Sequence, residues 1–203
     1  MCIRDSDLCA GGGGKTLALA AAMENKGQLY ATDTDKRRLA PIHDRLARSS
    51  ARNVQVRTPK SVHTELDDLD GRMDLVLIDA PCTGTGSWRR NPDAKWRLRP
   101  GALEIRIKDQ IAVLDRAVPL VKAGGRIAYI TCSVLADENA GQVRAFLARH
   151  EGFSIVPPAQ VAEALGERAF LFKRAALLSE EGILMTPRRT DTDGFFVSVL
   201  TRA

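Results

Sequence analysis

The order of apolar and helical segments constrains the fold of this chain more than any other feature. Short apolar runs, several of them rich in β-branched residues, alternate with stretches of helical periodicity. The runs predict strands at 29–32, 54–56, 75–79, 126–131, 153–156 and 195–200. The stretches between them predict helices at 14–25, 36–50, 102–122 and 137–149. This alternation indicates an α/β domain with a mostly parallel, doubly wound sheet and a late antiparallel strand.

Two places in the chain test this pattern. The helix predicted at 102–122 has a continuous apolar stripe, and we expect Gly124 and Gly125 to end it. A first strand should precede Asp7, but residues 1–6 are mostly polar. We therefore expect residues 1–6 to be a non-native or truncated start and residues 7–203 to form one domain. Residues 157–194 predict only a short helix and a polar turn.

Composition excludes several classes of protein. The four cysteines, Cys2, Cys9, Cys82 and Cys132, have no C-x-x-C spacing, so we expect no metal site. We also expect reduced thiols and a cytoplasmic location. No apolar stretch approaches the roughly 20 residues that span a bilayer, so we expect no membrane partner. The net charge of +5 permits a polyanionic partner without requiring one. We expect a monomer.

Two loops that follow predicted strands carry the clearest chemical signal. Residues 79–86 read DAPCTGTG after one strand, and residues 131–133 read TCS after another. Ligands of open α/β sheets bind at the carboxyl ends of the strands. A buried cysteine is often only a small apolar side chain. The positions of Cys82 and Cys132 at strand ends instead favour a pair of thiols that take part in chemistry.

A glycine-rich turn, DLCAGGGGKT at residues 7–16, leads into the first predicted helix. It does not match the P-loop pattern, because Cys9 stands where that pattern requires a glycine. It does not match the dinucleotide-binding pattern either, because Thr16 stands at a required glycine. Asp33 follows Gly14 by 19 residues, a spacing typical of a carboxylate that binds ribose hydroxyls. The turn and the acid indicate an adenosine-containing ligand, for which S-adenosylmethionine is the natural candidate. An ordinary strand-to-helix turn is the alternative.

Together these segments resemble the Sun/RsmB family of RNA cytosine-5 methyltransferases. Residues 89–96, RRNPDAKW, and 193–196, DGFF, add to the resemblance, which extends from about residue 7 to the end of the chain. It implies a Rossmann-like methyltransferase domain, S-adenosylmethionine as the methyl donor and 5-methylcytosine in RNA as the product. Ribosomal RNA is the expected substrate and transfer RNA the alternative. From the same resemblance we expect the RNA-binding segment that precedes the catalytic domain in the family to be missing here.

The resemblance also implies roles for individual residues. Cys132 would be the nucleophile, Cys82 would help to release the product, and Asp79 and Lys15 would lie at the target base or at the methionine end of the donor. The residues expected to bind the donor are Cys9, Ala10, Gly11, Gly12, Gly13, Gly14, Lys15, Asp33 and Asp79.

The sequence departs from the family pattern at two places. Gly11 and Gly12 stand where the family commonly has Ala-Pro, which should loosen the loop but keep its path. Residues 57–60 contain no acid where the family usually has an aspartate for the adenine amino group. A backbone group is the expected substitute there.

Basic and aromatic residues after the first cysteine loop predict contacts with RNA. Phosphates would be held by Arg89, Arg90, Lys95 and Arg97, with Arg99 beside them. Trp88 and Trp96 would stack on bases. The alternative is that Trp96 packs under the loop and that the arginines are only solvated.

Two other functions stay open. In DNA cytosine methyltransferases the attacking cysteine follows a proline, as Cys82 follows Pro81. The TCS segment and the lack of a large DNA-recognition region argue against that class. The third reading is a non-catalytic domain that binds RNA or a nucleotide.

Overall fold

The computed structural model describes residues 3–59 and 66–203. Cys2 and Lys60 therefore lie outside the described residues. The chain forms two compact units, one of Met1–Asp79 and Arg116–Ile127 and one of Ala80–Asp115 and Ala128–Ala203. The strands are β1 (Arg4–Asp7), β2 (Gln28–Ala31), β3 (Val54–Val56), β4 (Met73–Asp79), β5 (Val121–Thr131), β6 (Phe153–Ile155), β7 (Leu177–Leu178), β8 (Ile183–Met185) and β9 (Phe195–Arg202). The helices are α1 (Gly14–Ala22), α2 (Lys36–Leu39), α3 (Ile42–Arg48), α4 (Ala94–Arg97), α5 (Ala102–Ala117), α6 (Ala140–Arg149), α7 (Pro158–Glu163), α8 (Ala169–Ala175) and α9 (Pro187–Thr190).

The first unit contains the parallel strands. They pair in the order β3-β2-β1-β4, so β1 lies between two neighbours. Leu39 and Ile42 from α2 and α3 pack with Ala31 of β2 and the partly buried valines of β3. Apolar side chains of the helices thus cover apolar side chains of the strands, as the sequence pattern requires.

Strand β1 corrects the expectation that the polar residues before Asp7 do not supply the first strand. The polar sequence at residues 4–7 does form a strand, and Asp5, Ser6 and Asp7 are all buried in it. Its backbone completes hydrogen-bonded ladders with β2 and β4, and a ladder needs no particular side chain. The side chains fit the position poorly, because Asp5 Oδ1 and Ser6 Oγ have no hydrogen-bond partner among the described residues. Whether residues 1–6 are a foreign start stays a prediction.

Antiparallel strands dominate the second unit. β9 pairs antiparallel with β6 and with β8, and β8 pairs with β7. The parallel strands of the first unit and these later strands confirm the predicted mixed α/β class with late antiparallel pairing. The hairpin of β7 and β8 within 157–194 was missed, because its strands have only two and three residues. It forms because Ile183 packs with Ala162 and Ala176 in a small apolar cluster.

Two prolines correct the helix boundaries. α5 ends at Ala117, and residues from Val121 onward belong to β5, so Gly124 and Gly125 lie within a strand instead of ending a helix. Pro119 explains the early end, since the residue before a proline is disfavoured in helical conformation. The predicted helix at 36–50 is likewise two helices, α2 and α3, separated at Pro41. Within residues 3–59 and 66–203, no helix combines the length and apolar character needed to cross a bilayer.

Candidate active site

Three aspartates mark one edge of the first unit. Asp7 ends β1 and is in register with Ala31 of β2 and Leu77 of β4. Asp33 and Asp79 lie two residues beyond those partners. All three carboxyl groups therefore lie at the carboxyl ends of parallel strands, the edge where α/β sheets bind ligands.

A cavity of about 400 Å³ opens at this edge, within the range usual for small-molecule sites. Its walls include seven of the nine residues predicted to bind the donor: Cys9, Ala10, Gly11, Gly12, Gly14, Lys15 and Asp79. Gly13 and Asp33 do not line it. Arg38 does line it and was not predicted, because an exposed arginine on a short helix carries no distinctive sequence signal.

Asp33 lies behind the glycine turn and supports it. The side chain is buried, and its Oδ2 accepts a hydrogen bond from the backbone N–H of Gly11 at 3.0 Å. Its Oδ1 accepts one from the N–H of Asp35 at 2.9 Å. Each carboxylate oxygen can accept more than one hydrogen bond, so these contacts leave the predicted ribose contact chemically available.

Gly13 shapes the turn itself. Its φ of 82° lies in the left-handed region, and a Cβ there would approach Ile42 Cγ1 to 2.5 Å. One turn into α1, Thr16 donates a hydrogen bond to Asp7 Oδ2 at 2.8 Å, which ties the helix to β1. Burial raises the pKa of Asp7 to about 6. Position 13 requires glycine for two reasons: its φ is positive, and Ile42 occupies the space that a Cβ would need.

The polar end of the cavity is an ion pair. Lys15 Nζ lies 2.5 Å from Asp79 Oδ2, and each side chain is about one-third exposed (35% and 36%).

Cys9, in the wall of the same cavity, has a strongly perturbed thiol. Burial, with added repulsion from Asp33, Asp7 and Asp79, raises the pKa of Cys9 to about 12. Cys9 therefore stays a neutral thiol at physiological pH, in agreement with the interpretation that its backbone, not its sulfur, contributes to the loop.

The second unit holds the two predicted catalytic cysteines together. Cys82 Sγ and Cys132 Sγ are 3.3 Å apart, and both residues are half-buried. The backbone N–H of Gly86 donates to the carbonyl of Cys132 at 2.9 Å, which joins the two loops. The contact with Cys132, together with burial, raises the pKa of Cys82 well above its usual range. Either sulfur can act as the hydrogen-bond donor in this contact.

The predicted RNA-binding residues fall into two groups. Arg89 and Arg90 form ion pairs with Asp191 (2.9 Å) and Asp193 (2.7 Å). Arg97 instead lines a second cavity, of about 440 Å³, whose wall includes Cys82.

The aromatic residue of this segment contradicts one alternative. The Trp96 side chain is 80% exposed, with Lys95 Nζ 4.8 Å from its ring centroid. Trp96 therefore does not pack under the loop, and its ring is accessible for stacking.

Comparison with known proteins decides the family. The sequence model of a family described as 16S rRNA methyltransferase RsmB/F matches residues 5–201. The chain belongs to this family. The ribosomal RNA small subunit methyltransferase B of Pectobacterium atrosepticum is 33% identical over 206 residues, and that of Sodalis glossinidius is 35% identical over 203. Each alignment covers 97% of this chain and 41% of the relative, so this RsmB/F chain spans about two fifths of the length of those relatives.

Solved structures agree with the RsmB/F assignment. The crystal structure of PH0851 is 34% identical, has a TM-score of 0.85, and is matched over 98% of this chain and 42% of its own. NSun6 from Pyrococcus horikoshii, solved with SFG, is 27% identical with a TM-score of 0.74, over 98% of this chain and 47% of its own. These likenesses confirm the predicted family and the methyltransferase fold.

Sequence reasoning on this RsmB/F chain missed several polar residues around the cavity and the cysteine loops. Besides Arg38, they include the buried side chains of Gln110, Glu138 and Asn139, which hydrogen-bond to the cysteine loops. Glu138 and Asn139 follow the TCS segment closely, and that proximity was the available signal. No group of three or more potential metal ligands occurs in the part of the chain that the structure describes.

Proposed function

We propose that this chain transfers a methyl group from S-adenosylmethionine to carbon 5 of a cytosine in RNA, with ribosomal RNA as the foremost substrate. The observation that carries the proposal is the 3.3 Å contact between the Cys82 and Cys132 sulfurs in a chain of the RsmB/F family. The cavity at the carboxyl edge of the first unit supports a nucleoside-containing donor.

The chemistry needs a nucleophile because carbon 5 of cytosine attacks poorly by itself. Addition of the Cys132 thiolate to carbon 6 forms a C–S bond and makes carbon 5 nucleophilic, which replaces one difficult step with easier ones. Bound S-adenosylmethionine would supply the electrophilic methyl group. Loss of the carbon 5 proton then returns an electron pair to the ring, and the C–S bond breaks to restore the thiolate. We assign Cys82 to that release.

The direction of the Cys82 pKa favours this division of roles. A thiol that keeps its proton cannot attack, but it can donate a hydrogen bond that stabilises negative charge on its neighbour. Asp193 raises the pKa of Arg90, and negative charge on Cys132 would raise it further. The raised pKa of Cys82 supports our assignment of Cys132 as the nucleophile, in preference to the Cys82 nucleophile of a DNA-type enzyme.

We assign the donor site to the glycine turn and the acids behind it. Gly11, Gly12 and Gly14 line the cavity with little side-chain bulk, so the backbone can approach a ligand closely. Asp33 would accept hydrogen bonds from the ribose. The Lys15–Asp79 pair would contact the methionine end of the donor or the target base. Arg57 forms an ion pair with Asp68 at 3.0 Å. We therefore expect a group other than the Arg57 side chain to bind the adenine.

We assign RNA contact chiefly to the cavity beside Cys82. Arg97, Arg99 and Arg106 line it, together with the apolar side chains of Leu98 and Ile105. Guanidinium groups bind phosphates, and an apolar floor suits a base. Because Arg89 and Arg90 already pair with aspartates, they contribute less. We infer that the protein works as a monomer in the cytoplasm, where its thiols stay reduced.

Covalent trapping tests the proposal. RNA that contains 5-azacytidine holds the adduct, because a ring nitrogen at position 5 carries no proton to lose. We expect Cys132→Ala to abolish the adduct and Cys82→Ala to retain it. With ordinary cytosine RNA, Cys82→Ala should also release its adduct slowly. Cys2→Ala, at the cysteine to which no role is assigned, is the control and should behave as the wild type. If Cys82→Ala abolishes the adduct and Cys132→Ala keeps it, the two roles are reversed.

A further inference from the structure

Two consecutive residues of the second unit hydrogen-bond to both cysteine loops. Glu138 and Asn139 immediately precede α6, and their exposed fractions are 0% and 3%. Each is hydrogen-bonded, directly or through Gln110, to the residues on either side of one cysteine.

Glu138 holds the Cys82 loop. Its Oε1 accepts hydrogen bonds from the Thr83 N–H at 2.7 Å and from Gln110 Nε2 at 3.1 Å, and its Oε2 accepts one from Thr83 Oγ1 at 2.5 Å. Gln110 Nε2 also donates to the carbonyl of Pro81 at 2.9 Å. Both neighbours of Cys82 are therefore tied to this buried carboxyl group, one directly and one through Gln110.

Asn139 holds the Cys132 loop in the same way. Its Oδ1 accepts a hydrogen bond from Thr131 Oγ1 at 2.5 Å, and its Nδ2 donates to the carbonyl of Ser133 at 2.9 Å. Tyr129 donates from its hydroxyl to the Glu138 carbonyl at 2.7 Å, which secures the backbone of the dipeptide itself. Further along the loops, Gly86 and Thr85 join the two segments directly.

We propose that Glu138 and Asn139 are positioning residues that together set the separation of the Cys82 and Cys132 sulfurs. Adjacent residues cannot move far apart, so fixing one loop to each of them fixes the loops relative to each other. The proposal rests on the proposed function for its catalytic meaning. Glu138 then serves release, through the Cys82 loop, and Asn139 serves attack, through the Cys132 loop.

Cross-linking of the two thiols measures the separation without RNA or donor. Diamide, a diazenedicarboxamide, takes two protons and two electrons from the thiols, becoming a hydrazine while a disulfide forms. In a Cys2→Ser, Cys9→Ser background only Cys82 and Cys132 remain to react. We expect Glu138→Ala and Asn139→Ala each to slow the cross-link by about tenfold, as the loss of buried hydrogen bonds implies.

Conservative and matched variants separate positioning from general damage. Glu138→Gln should restore the cross-linking rate, because its amide can still accept from the Thr83 N–H and can donate to the Thr83 hydroxyl. Gln142→Ala is the control: Gln142 is a buried amide on α6 that donates to the Asp137 carbonyl and to neither cysteine loop. It should cross-link at the wild-type rate.

Adduct chemistry supplies the second readout. With cytosine RNA and S-adenosylmethionine, Glu138→Ala should accumulate the denaturant-stable adduct, as Cys82→Ala does, whereas Asn139→Ala should form it slowly. A folded Glu138→Ala protein with wild-type cross-linking and no adduct accumulation overturns the proposal. If Glu138→Ala does not fold, Thr83→Val removes only the hydroxyl contact, and its cross-linking must slow or the proposal is wrong. Absence of methylation by the wild type would instead refute the proposed function and leave the cross-linking result standing.

Discussion

Asp33 supports the cavity at the glycine turn through two backbone contacts. Its oxygens bind the N–H groups of Gly11 and Asp35, so one carboxylate fixes both the glycine turn and the chain that leads to α2. The predicted function of Asp33 was contact with the ligand. The structure adds a supporting role, because the side chain is buried behind the cavity wall that Gly11 forms.

Asp33→Asn should therefore weaken binding of S-adenosylmethionine by at least about tenfold, since an amide NH2 would replace one of two acceptors that face N–H groups. Isothermal titration calorimetry measures the affinity. Asp35→Asn is the matched control: Asp35 is exposed and caps α2 by accepting from the Arg37 N–H, a role that asparagine fills equally well. Unchanged affinity in Asp33→Asn would contradict the supporting role.

Strand β1 shows how an element can form against the preference of its side chains. Its neighbours on both sides complete its backbone hydrogen bonds, but Asp5 and Ser6 are buried with oxygens that lack partners among residues 3–59 and 66–203. Burial, and secondarily the charge of Asp74, raises the pKa of Asp5 to about 6. The strand therefore carries an unfavourable charge at neutral pH.

The pH dependence of stability follows from this shift. Because the folded state holds the Asp5 proton more tightly than the unfolded state, its contribution is fully present below about pH 4 and is lost as pH rises through 6. Asp5→Asn should raise the free energy of unfolding by about 2 kcal/mol at pH 7.5, with no gain near pH 4. Urea denaturation at both pH values measures the difference. Ser6→Ala, which removes an uncharged hydroxyl, should stabilise by about 1 kcal/mol at both. An equal gain for Asp5→Asn at both pH values would refute the charge explanation.

At the scale of the whole chain, the effect of the basic residues on RNA binding depends on which of them are paired with acids. The net charge of +5 does not itself identify a surface. Arg89 and Arg90 are neutralised by neighbouring aspartates, whereas Arg97, Arg99 and Arg106 line one cavity with Cys82, although Arg106 also pairs with Asp109. Of these two groups of arginines, the group at the cavity should therefore attract a polyanion more strongly.

Salt dependence of RNA binding tests this distribution. For single-stranded RNA each phosphate contact adds about 0.7 to the magnitude of the slope of log K against log salt, so replacing Arg97 and Arg99 by glutamine should reduce that magnitude by about 1.4. The matched double variant, Arg89→Gln with Arg90→Gln, should change the slope little. Fluorescence anisotropy of a labelled RNA between about 50 and 200 mM salt measures both. A larger loss of slope in the double variant would move the RNA surface to the Arg89–Arg90 side.

Some features of this protein follow from local sequence. Strand and helix periodicity predicted most of the parallel strands, because a buried strand needs a run of apolar residues whatever surrounds it. The glycine turn and both cysteine loops were also found, because backbone conformation and chemistry restrict which residues can occupy them. Six of the seven cavity residues that were predicted belong to one uninterrupted segment, 9–15.

Other features required contacts between distant segments. β1 forms because two neighbouring strands pair with its backbone, and a polar sequence gives no sign of that. Apolar periodicity alone predicted helices that continue past Pro41 and Pro119, whereas the observed helices end before these prolines. The sulfur contact joins residues 50 apart, and the dipeptide Glu138-Asn139 binds loops from two strands. Local sequence thus determines which residues can do the chemistry, whereas their distances depend on burial and hydrogen bonding across the chain, which no short stretch of sequence contains.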